Sequence, residues 1–181
     1  MRTTPGRPFD SVAANAVRVH HATRLAIFVL ALSAGFSHVG SAQLSDRSAV
    51  LASIDAKASA YGDVALRIWS FADVGYQETK SSALLQEQLK AAGFDVTSGV
   101  AEIPTAFTAT WGSGKPVIGI IGEFDALPGL SQAASPDRKA IVQNGPGHGC
   151  GHHLFGTAST AAAIAVKDWL VANKRGGRLR F

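Results

Sequence analysis

The chain has 181 residues, of which 46% are hydrophobic and 17% charged, so it can bury the core of one globular domain and is too polar to lie mostly within a membrane. Its formal net charge is +4, but four of the seventeen basic residues lie before residue 43, and beyond it thirteen basic residues stand against twelve acidic ones. This near balance excludes the basic surface that nucleic-acid binding requires, so we expect no nucleic-acid partner.

The first 42 residues have the pattern of a secretion signal. Arg24 ends a basic leader, residues 25–36 form an apolar core, and the small residues at 40–42 precede a cleavage point at Gln43. A membrane anchor is the alternative, but this apolar core is short of the ~20 residues that a spanning helix needs. We therefore expect a signal peptide at 1–42, export to the periplasm or the medium, and no stable membrane span after cleavage.

The next part of the chain predicts two helices. From Asp46 to about Asp73 the apolar residues recur every three or four positions, with a break expected at Gly62. Residues 78–92 repeat this period, and Gly93 ends the helix as a C-terminal glycine does. Both patterns are those of amphipathic helices.

Three strands are then expected. β-Branched and aromatic residues at 94–100 and 105–111, separated by Pro104, predict a short hairpin or an edge pair. Residues 117–122 form a continuous apolar run without alternation, which is typical of a strand buried on both faces of a sheet covered by helices. Such a strand is the sign of an α/β fold.

The last part of the chain predicts a loop, a helix and a strand. Residues 131–143 are polar, and residues 154–173 have the pattern of a helix whose small alanines permit close packing on a sheet. Gly176-Gly177 ends this helix, and residues 178–181 begin another strand. The alternation of strands and helices predicts a doubly wound α/β sheet.

Residues 145–156 contain the only cysteine of the chain and the three histidines found beyond residue 40. Thiolate and imidazole are ligands that suit zinc and its neighbours. His148, Cys150 and His152 alternate along an extended loop, so their side chains are expected to converge on one point. The alternative is a structural turn with a reactive thiol.

Glu123 and Asp125 alternate in the same way at the carboxyl end of the predicted buried strand, where open α/β sheets place their ligands. Both carboxylates are therefore expected to face one crevice. Acids at strand ends are also commonly solvated or cap the next helix. These two acids, however, are expected to lie near the loop that carries Cys150. A carboxylate that is hydrogen-bonded to a metal-ligating imidazole fixes the tautomer of the imidazole.

Four short segments carry a resemblance to a known family: Gly-Glu-Phe-Asp-Ala-Leu-Pro-Gly-Leu at 122–130, Gly-Pro-Gly-His-Gly-Cys-Gly-His at 145–152, Ile-Pro-Thr-Ala-Phe at 103–107 and Gly-Thr-Ala at 156–158. Together they resemble the M20 family of metallopeptidases, its amidohydrolase branch, and within that the B-type subunit of aminobenzoyl-glutamate hydrolase. The resemblance covers about residues 46–181.

The resemblance implies a zinc-aminopeptidase-like catalytic domain, partial, at 43–181, which uses two divalent ions, Mn²⁺ or Zn²⁺. Cys150 would bridge the two ions and His152 would bind one of them. Asp125 matches the acid that supports a ligating histidine, and it is the catalytic-site residue that the resemblance assigns.

Three further positions are given weaker roles by the resemblance. His148 matches a family histidine beside the metals that supports the site and is not itself a ligand. Glu123 stands where related branches place a histidine ligand, so it receives no definite role. His153 departs from the aspartate or asparagine of many relatives and is expected to act as a helix-start residue or as an accidental ligand.

The implied reaction is hydrolysis of the amide that joins an acyl or aroyl group to an amino acid, such as aminobenzoyl-glutamate, by a metal-activated water. The family's general base and its remaining ligands follow the strand that begins at Arg178. The resemblance therefore implies the N-terminal part of a longer enzyme, without the inserted lid and dimerisation domain, whose full-length parent is a homodimer. For the chain alone we expect weak or no metal binding and no turnover.

Three alternatives remain open from the sequence. The first is a non-catalytic exported metal-binding module. The second is a thiol protein in which Cys150 reacts, and the third is an M20 aminoacylase or dipeptidase with a different substrate.

Overall fold

The computed structural model describes residues 46–181. Residues Ala49–Phe181 form one compact unit. The predicted signal peptide at 1–42 lies outside the described residues. Among the residues that are described, no helix is both long and apolar enough to cross a membrane.

The described helices follow the amphipathic pattern of the sequence, and they are α1 at 46–55, α2 at Ala58–Phe71, α3 at Thr79–Ala91 and α4 at His152–Ala172. The break expected at Gly62 lies instead at residues 56–57, between α1 and α2. Gly62 is an exposed residue inside α2, where one glycine weakens a helix by only about 1 kcal/mol. The burial of Val64 and Ile68 in the same helix outweighs that cost.

The described strands form one mixed sheet in the order β1-β2-β4-β3, with β1 at Asp95–Ser98, β2 at Phe107–Ser113, β3 at Val117–Gly119 and β4 at Gly177–Arg180. β1 and β2 pair antiparallel, which confirms the predicted hairpin, and β2 pairs antiparallel with β4. β3 and β4 are parallel, and α4 makes the crossover between them. The predicted α/β class is therefore confirmed.

The prediction of a strand buried on both faces at 117–122 is wrong. The strand ends at Gly119, and its residues are exposed, with Val117 at 54% and Ile118 at 45%. Among the described residues β3 has a single neighbour, β4, so it forms an edge of this sheet. An apolar run records hydrophobicity alone and does not reveal how many neighbours the strand has.

The hydrophobic core lies where α2, α3 and α4 pack against one another and against the sheet. Its fully buried large side chains are Ile68, Leu85, Leu89 and Leu179. α4 contributes Ala163 without any exposed surface, as its small residues predicted. The helix starts at His152, two residues before the expected start, and this brings two histidines into its first turn.

Candidate functional site

The candidate site lies where the segment that follows β3 meets the first turns of α4. A Cβ atom at Gly156 would lie 2.8 Å from the carbonyl oxygen of Glu123 and 3.0 Å from Cδ1 of Leu85. Contacts this short are not tolerated by packed atoms, so only glycine lets α4 approach the segment this closely. The close approach places His152, one turn earlier, beside the acids of residues 123–125.

His152 lies between two carboxylates. Its Nδ1 is 2.8 Å from Oδ1 of Asp125, and its Nε2 is 3.0 Å from Oε2 of Glu123. Each ring nitrogen of His152 thus has a carboxylate oxygen within hydrogen-bonding distance. Glu123 and Asp125, which the sequence predicted to face one crevice, both face the imidazole of His152.

Backbone hydrogen bonds fix the position of this acidic segment. The N–H of Ala126 donates to the carbonyl of Asp73 at 2.7 Å, and Leu127 and Gly147 exchange two hydrogen bonds of 2.9 Å each. A Cβ atom at Gly147 would collide with the carbonyl oxygen of Leu130, so the bridge requires glycine there. The acidic segment and the glycine-rich loop are therefore held together as one backbone unit.

The predicted convergence of His148, Cys150 and His152 does not occur. His148 points into the interior, is 5% exposed, and its Nε2 lies 3.0 Å from the carbonyl oxygen of Ile68. Cys150 is exposed, and His152 contacts the acids. The alternation fails because the backbone bends at residues 149 and 150, and because Gly151 has a left-handed backbone (φ 83°) directly before α4.

His148 and His153 form a buried cluster with Trp69. Their ring centroids are 5.0 Å apart, and His153 meets Trp69 edge-on at 4.8 Å. Burial lowers the pKa of His148, and the hydrogen bond to the carbonyl of Ile68 partly opposes this shift by raising it. Burial also lowers the pKa of His153, and the nearby His148 lowers it further. Nδ1 of each ring has no hydrogen-bond partner among the described residues. His153 thus lies in the first turn of α4, which agrees with its predicted role as a helix-start residue, and it faces the core.

The donor atoms around Cys150 and His152 bear on the predicted metal site. Within residues 46–181 no group of three histidine, cysteine or acidic side chains has the geometry of a metal site. The thiol of Cys150 and the imidazole of His152 are donors of the type that zinc prefers. Asp125 contacts Nδ1 of the ring, so an ion would bind at Nε2, which in this structure faces Glu123. The donors therefore fit a metal by type, and their roles as ligands stay predictions.

A cavity of about 320 Å³ adjoins the acidic segment, and sequence reasoning missed it. Its lining includes Glu78, Thr105 and three phenylalanines, Phe107, Phe124 and Phe181. The phenylalanines come from separate elements and look like ordinary core residues, so no spacing relates them. The one available signal was an acid, Glu78, directly before an amphipathic helix.

The chain is similar in sequence to three curated proteins of known activity. It is 49% identical over 129 residues to the B-type subunit of p-aminobenzoyl-glutamate hydrolase from Escherichia coli K12, a match that covers 71% of this chain and 27% of that protein. It is 29% identical over 131 residues to human Xaa-Arg dipeptidase, and this match covers 65% of this chain and 26% of the human protein. It is 28% identical to the Xaa-Arg dipeptidase of the mouse. The chain thus spans about a quarter of the length of these relatives.

Two solved structures share the fold. A proposed aminohydrolase from methicillin-resistant Staphylococcus aureus matches with a TM-score of 0.60 at 18% identity, over 74% of this chain and 33% of that one. The Bacillus subtilis YxeP protein, described as a dinuclear metal-binding peptidase of the M20 family, matches with a TM-score of 0.53 at 22% identity, over 70% of this chain and 34% of that one.

No protein-family profile matches the chain. The sequence relatives and the shared fold nevertheless agree with the motifs at 122–130 and 145–152. By sequence and by fold, the described part of the chain belongs with the M20 family of peptidases and amidohydrolases, and it resembles the B-type subunit of aminobenzoyl-glutamate hydrolase.

Proposed function

We propose that this chain serves metal-dependent hydrolysis of the amide between an acyl or aroyl group and an amino acid, with aminobenzoyl-glutamate as the representative substrate. The observation that carries the proposal is that His152, two residues after the exposed Cys150, is held by Asp125 at 2.8 Å. The sequence relatives support the class of reaction, since one is a p-aminobenzoyl-glutamate hydrolase and two are dipeptidases.

The residues of the chain have separate tasks in this proposal. Cys150 and His152 would hold the ion, which supplies a water of lowered pKa and stabilises the developing oxyanion. Asp125 accepts the Nδ1–H of His152, so the ring keeps one tautomer and one orientation. Glu123, whose side chain is 51% exposed, faces Nε2 and adds negative charge where a cation would bind.

The proposal is tested by transplanting residues 46–181 into the matching part of the Escherichia coli p-aminobenzoyl-glutamate hydrolase. We expect the chimera to release p-aminobenzoate when supplied with Mn²⁺ or Zn²⁺. Cys150→Ser should lower the rate by about 100-fold or more, because a thiolate ligand is lost. Ser59→Ala, an exposed change on α2, is the control and should leave the rate unchanged.

A folded chimera that cleaves no aminobenzoyl-glutamate, or a Cys150→Ser variant as fast as its parent, would contradict the proposal. Cleavage of Xaa-Arg dipeptides in preference to aminobenzoyl-glutamate would assign the dipeptidase reaction instead. Equilibrium dialysis of the 181-residue chain with Mn²⁺ and Zn²⁺ measures separately what the chain binds by itself.

A further inference from the structure

The cavity next to the acidic segment is aromatic. Phe107 stacks on Phe124 with centroids 6.0 Å apart, and on Phe181 with centroids 5.5 Å apart. Ile103 and Ile120 add aliphatic surface to the lining. The volume of about 320 Å³ is at the lower end of the range for small-molecule sites, so the cavity suits one flat ring rather than a whole substrate.

One buried acid lines this apolar cavity. Glu78 is 8% exposed, and the hydroxyl of Thr105 donates to its Oε2 at 2.5 Å. Its other oxygen, Oε1, receives no hydrogen bond from the residues that the structure describes. Oε1 is therefore available to a ligand, and a ligand that brings an N–H donor to it gains a hydrogen bond that the described residues do not make.

The charges of the lining decide which end of a substrate enters. The described residues around the cavity include the acids Glu78, Glu123 and Asp125 and no lysine or arginine. A glutamate leaving group carries two carboxylates and would be repelled here. An aromatic ring with an amino group matches both the rings and the acid.

The position of the cavity gives the direction of such a ring. Glu123 and Asp125 line the cavity and also contact the two nitrogens of His152. In the arrangement that we propose below, the amino group of the ring meets Glu78. The opposite substituent, which in an aminobenzoyl compound is the amide, then lies on the side of Glu123 and Asp125.

From this arrangement we propose that the Phe107, Phe124 and Phe181 cavity binds the ring of an aroyl group and that Glu78 selects a ring bearing an amino group para to the amide. This inference rests on the proposed function, because it names the aroyl side of the same substrate class. It assigns Glu78 to substrate specificity and leaves the chemistry of the amide to the residues around His152.

The test compares three neutral or charged fragments on the metal-free 181-residue chain: 4-aminobenzamide, benzamide and 4-carboxybenzamide. Titrations followed by protein NMR give a dissociation constant for each. We expect 4-aminobenzamide to bind about tenfold more tightly than benzamide, the gain of one hydrogen bond to a charged acceptor. The carboxyl compound should bind more weakly than benzamide, since its charge has the sign of Glu78.

Glu78→Gln should reduce the ratio of the two affinities, benzamide against 4-aminobenzamide, to about one, because the acid that selects the amino group is gone. Glu87→Gln is the matched control, an exposed acid on the neighbouring helix α3, and should keep the ratio of the parent. Thermal unfolding checks that each variant is folded. If Glu78→Gln does not fold, the three fragments on the unchanged chain still decide the question.

Equal affinity for benzamide and 4-aminobenzamide would overturn the inference, and so would a ratio that Glu78→Gln leaves unchanged. The fragments report on the cavity without metal and without turnover. A hydrolytic chimera with no preference for the amino group would therefore overturn this inference alone, and a chimera without hydrolysis would overturn the proposed function alone.

Discussion

At the scale of single residues, the orientation of His152 depends on acids that lie far from it in the sequence. Asp125 is 27 residues earlier, yet its carboxylate is the partner of Nδ1 at 2.8 Å. The alternation of Glu123 and Asp125 was sufficient to predict that both face one crevice. The separation of His148, Cys150 and His152 was not predictable, because it depends on the bends at residues 149 and 150 and on the left-handed turn at Gly151.

Asp125→Asn should weaken metal use without removing the side chain. Asparagine keeps an oxygen for the Nδ1–H but loses the charge that raises the basicity of the ring, so we expect metal affinity to fall about 10- to 100-fold. The measurement is the concentration of Mn²⁺ or Zn²⁺ at half-maximal rate in the chimera. Asp63→Asn, an exposed change on α2, should not alter it, and an unchanged value for Asp125→Asn would count against the role.

The buried histidines predict how stability depends on pH. Burial holds the pKa of His148 and His153 below the ordinary 6.5, so the unfolded chain takes up protons more readily than the folded one. Stability is therefore fully present above about pH 6.5 and declines as the pH falls below that value. Asp125 opposes this effect at His148, and the charge of His152 adds to it.

This prediction is checked by urea unfolding of the metal-free chain at about pH 7.5 and about pH 5.5, on either side of the ordinary histidine pKa. His153→Phe removes one buried titrating ring and keeps an aromatic side chain against Trp69, so we expect it to lose less stability on acidification than the parent. An identical loss in both proteins would show that His153 does not titrate with unfolding.

At the scale of secondary structure, the contact of α4 with the segment after β3 depends on Gly156. The sequence predicted the helix and its small residues, but it could not show which glycine lies against another backbone. Gly62 and Gly156 look alike in the sequence, since both occur within helices. A Cβ atom at Gly62 would meet nothing within 4 Å, whereas one at Gly156 would meet the carbonyl of Glu123 at 2.8 Å.

The two glycines form a matched pair of substitutions. Gly156→Ala should lower the free energy of unfolding by about 1–3 kcal/mol, because the added methyl forces α4 away from Glu123. Gly62→Ala should raise it by about 0.5–1 kcal/mol, since alanine is the better helix former and has room there. Urea unfolding measures both, and a loss of stability in Gly62→Ala equal to that in Gly156→Ala would refute the packing explanation.

At the scale of the whole molecule, β3 presents apolar surface at an edge of the described sheet. Val117 and Ile118 of β3 are 54% and 45% exposed, and Ile121, two residues after the strand, is 73% exposed. The fold class could be predicted from the order of helices and strands, whereas the exposure of β3 could not, because it depends on which strands neighbour it. Exposed apolar edges promote association between copies of a protein.

Ile118→Lys should reduce self-association of the purified chain, because a charge on an edge strand opposes pairing with a second copy. Sedimentation velocity at increasing protein concentration gives the fraction of monomer. Leu66→Lys, at a 55% exposed position on α2, is the control for adding a lysine to the surface. Equal monomer fractions in the two variants and the parent would rule out β3 as the contact.

The bridge between Leu127 and Gly147 has a consequence for how the gene can change. Since any side chain at Gly147 collides with Leu130, and since Leu127 pairs with the backbone of Gly147, the two sequence motifs share one structural constraint. A codon change that places a side chain at position 147 therefore also displaces the acidic segment.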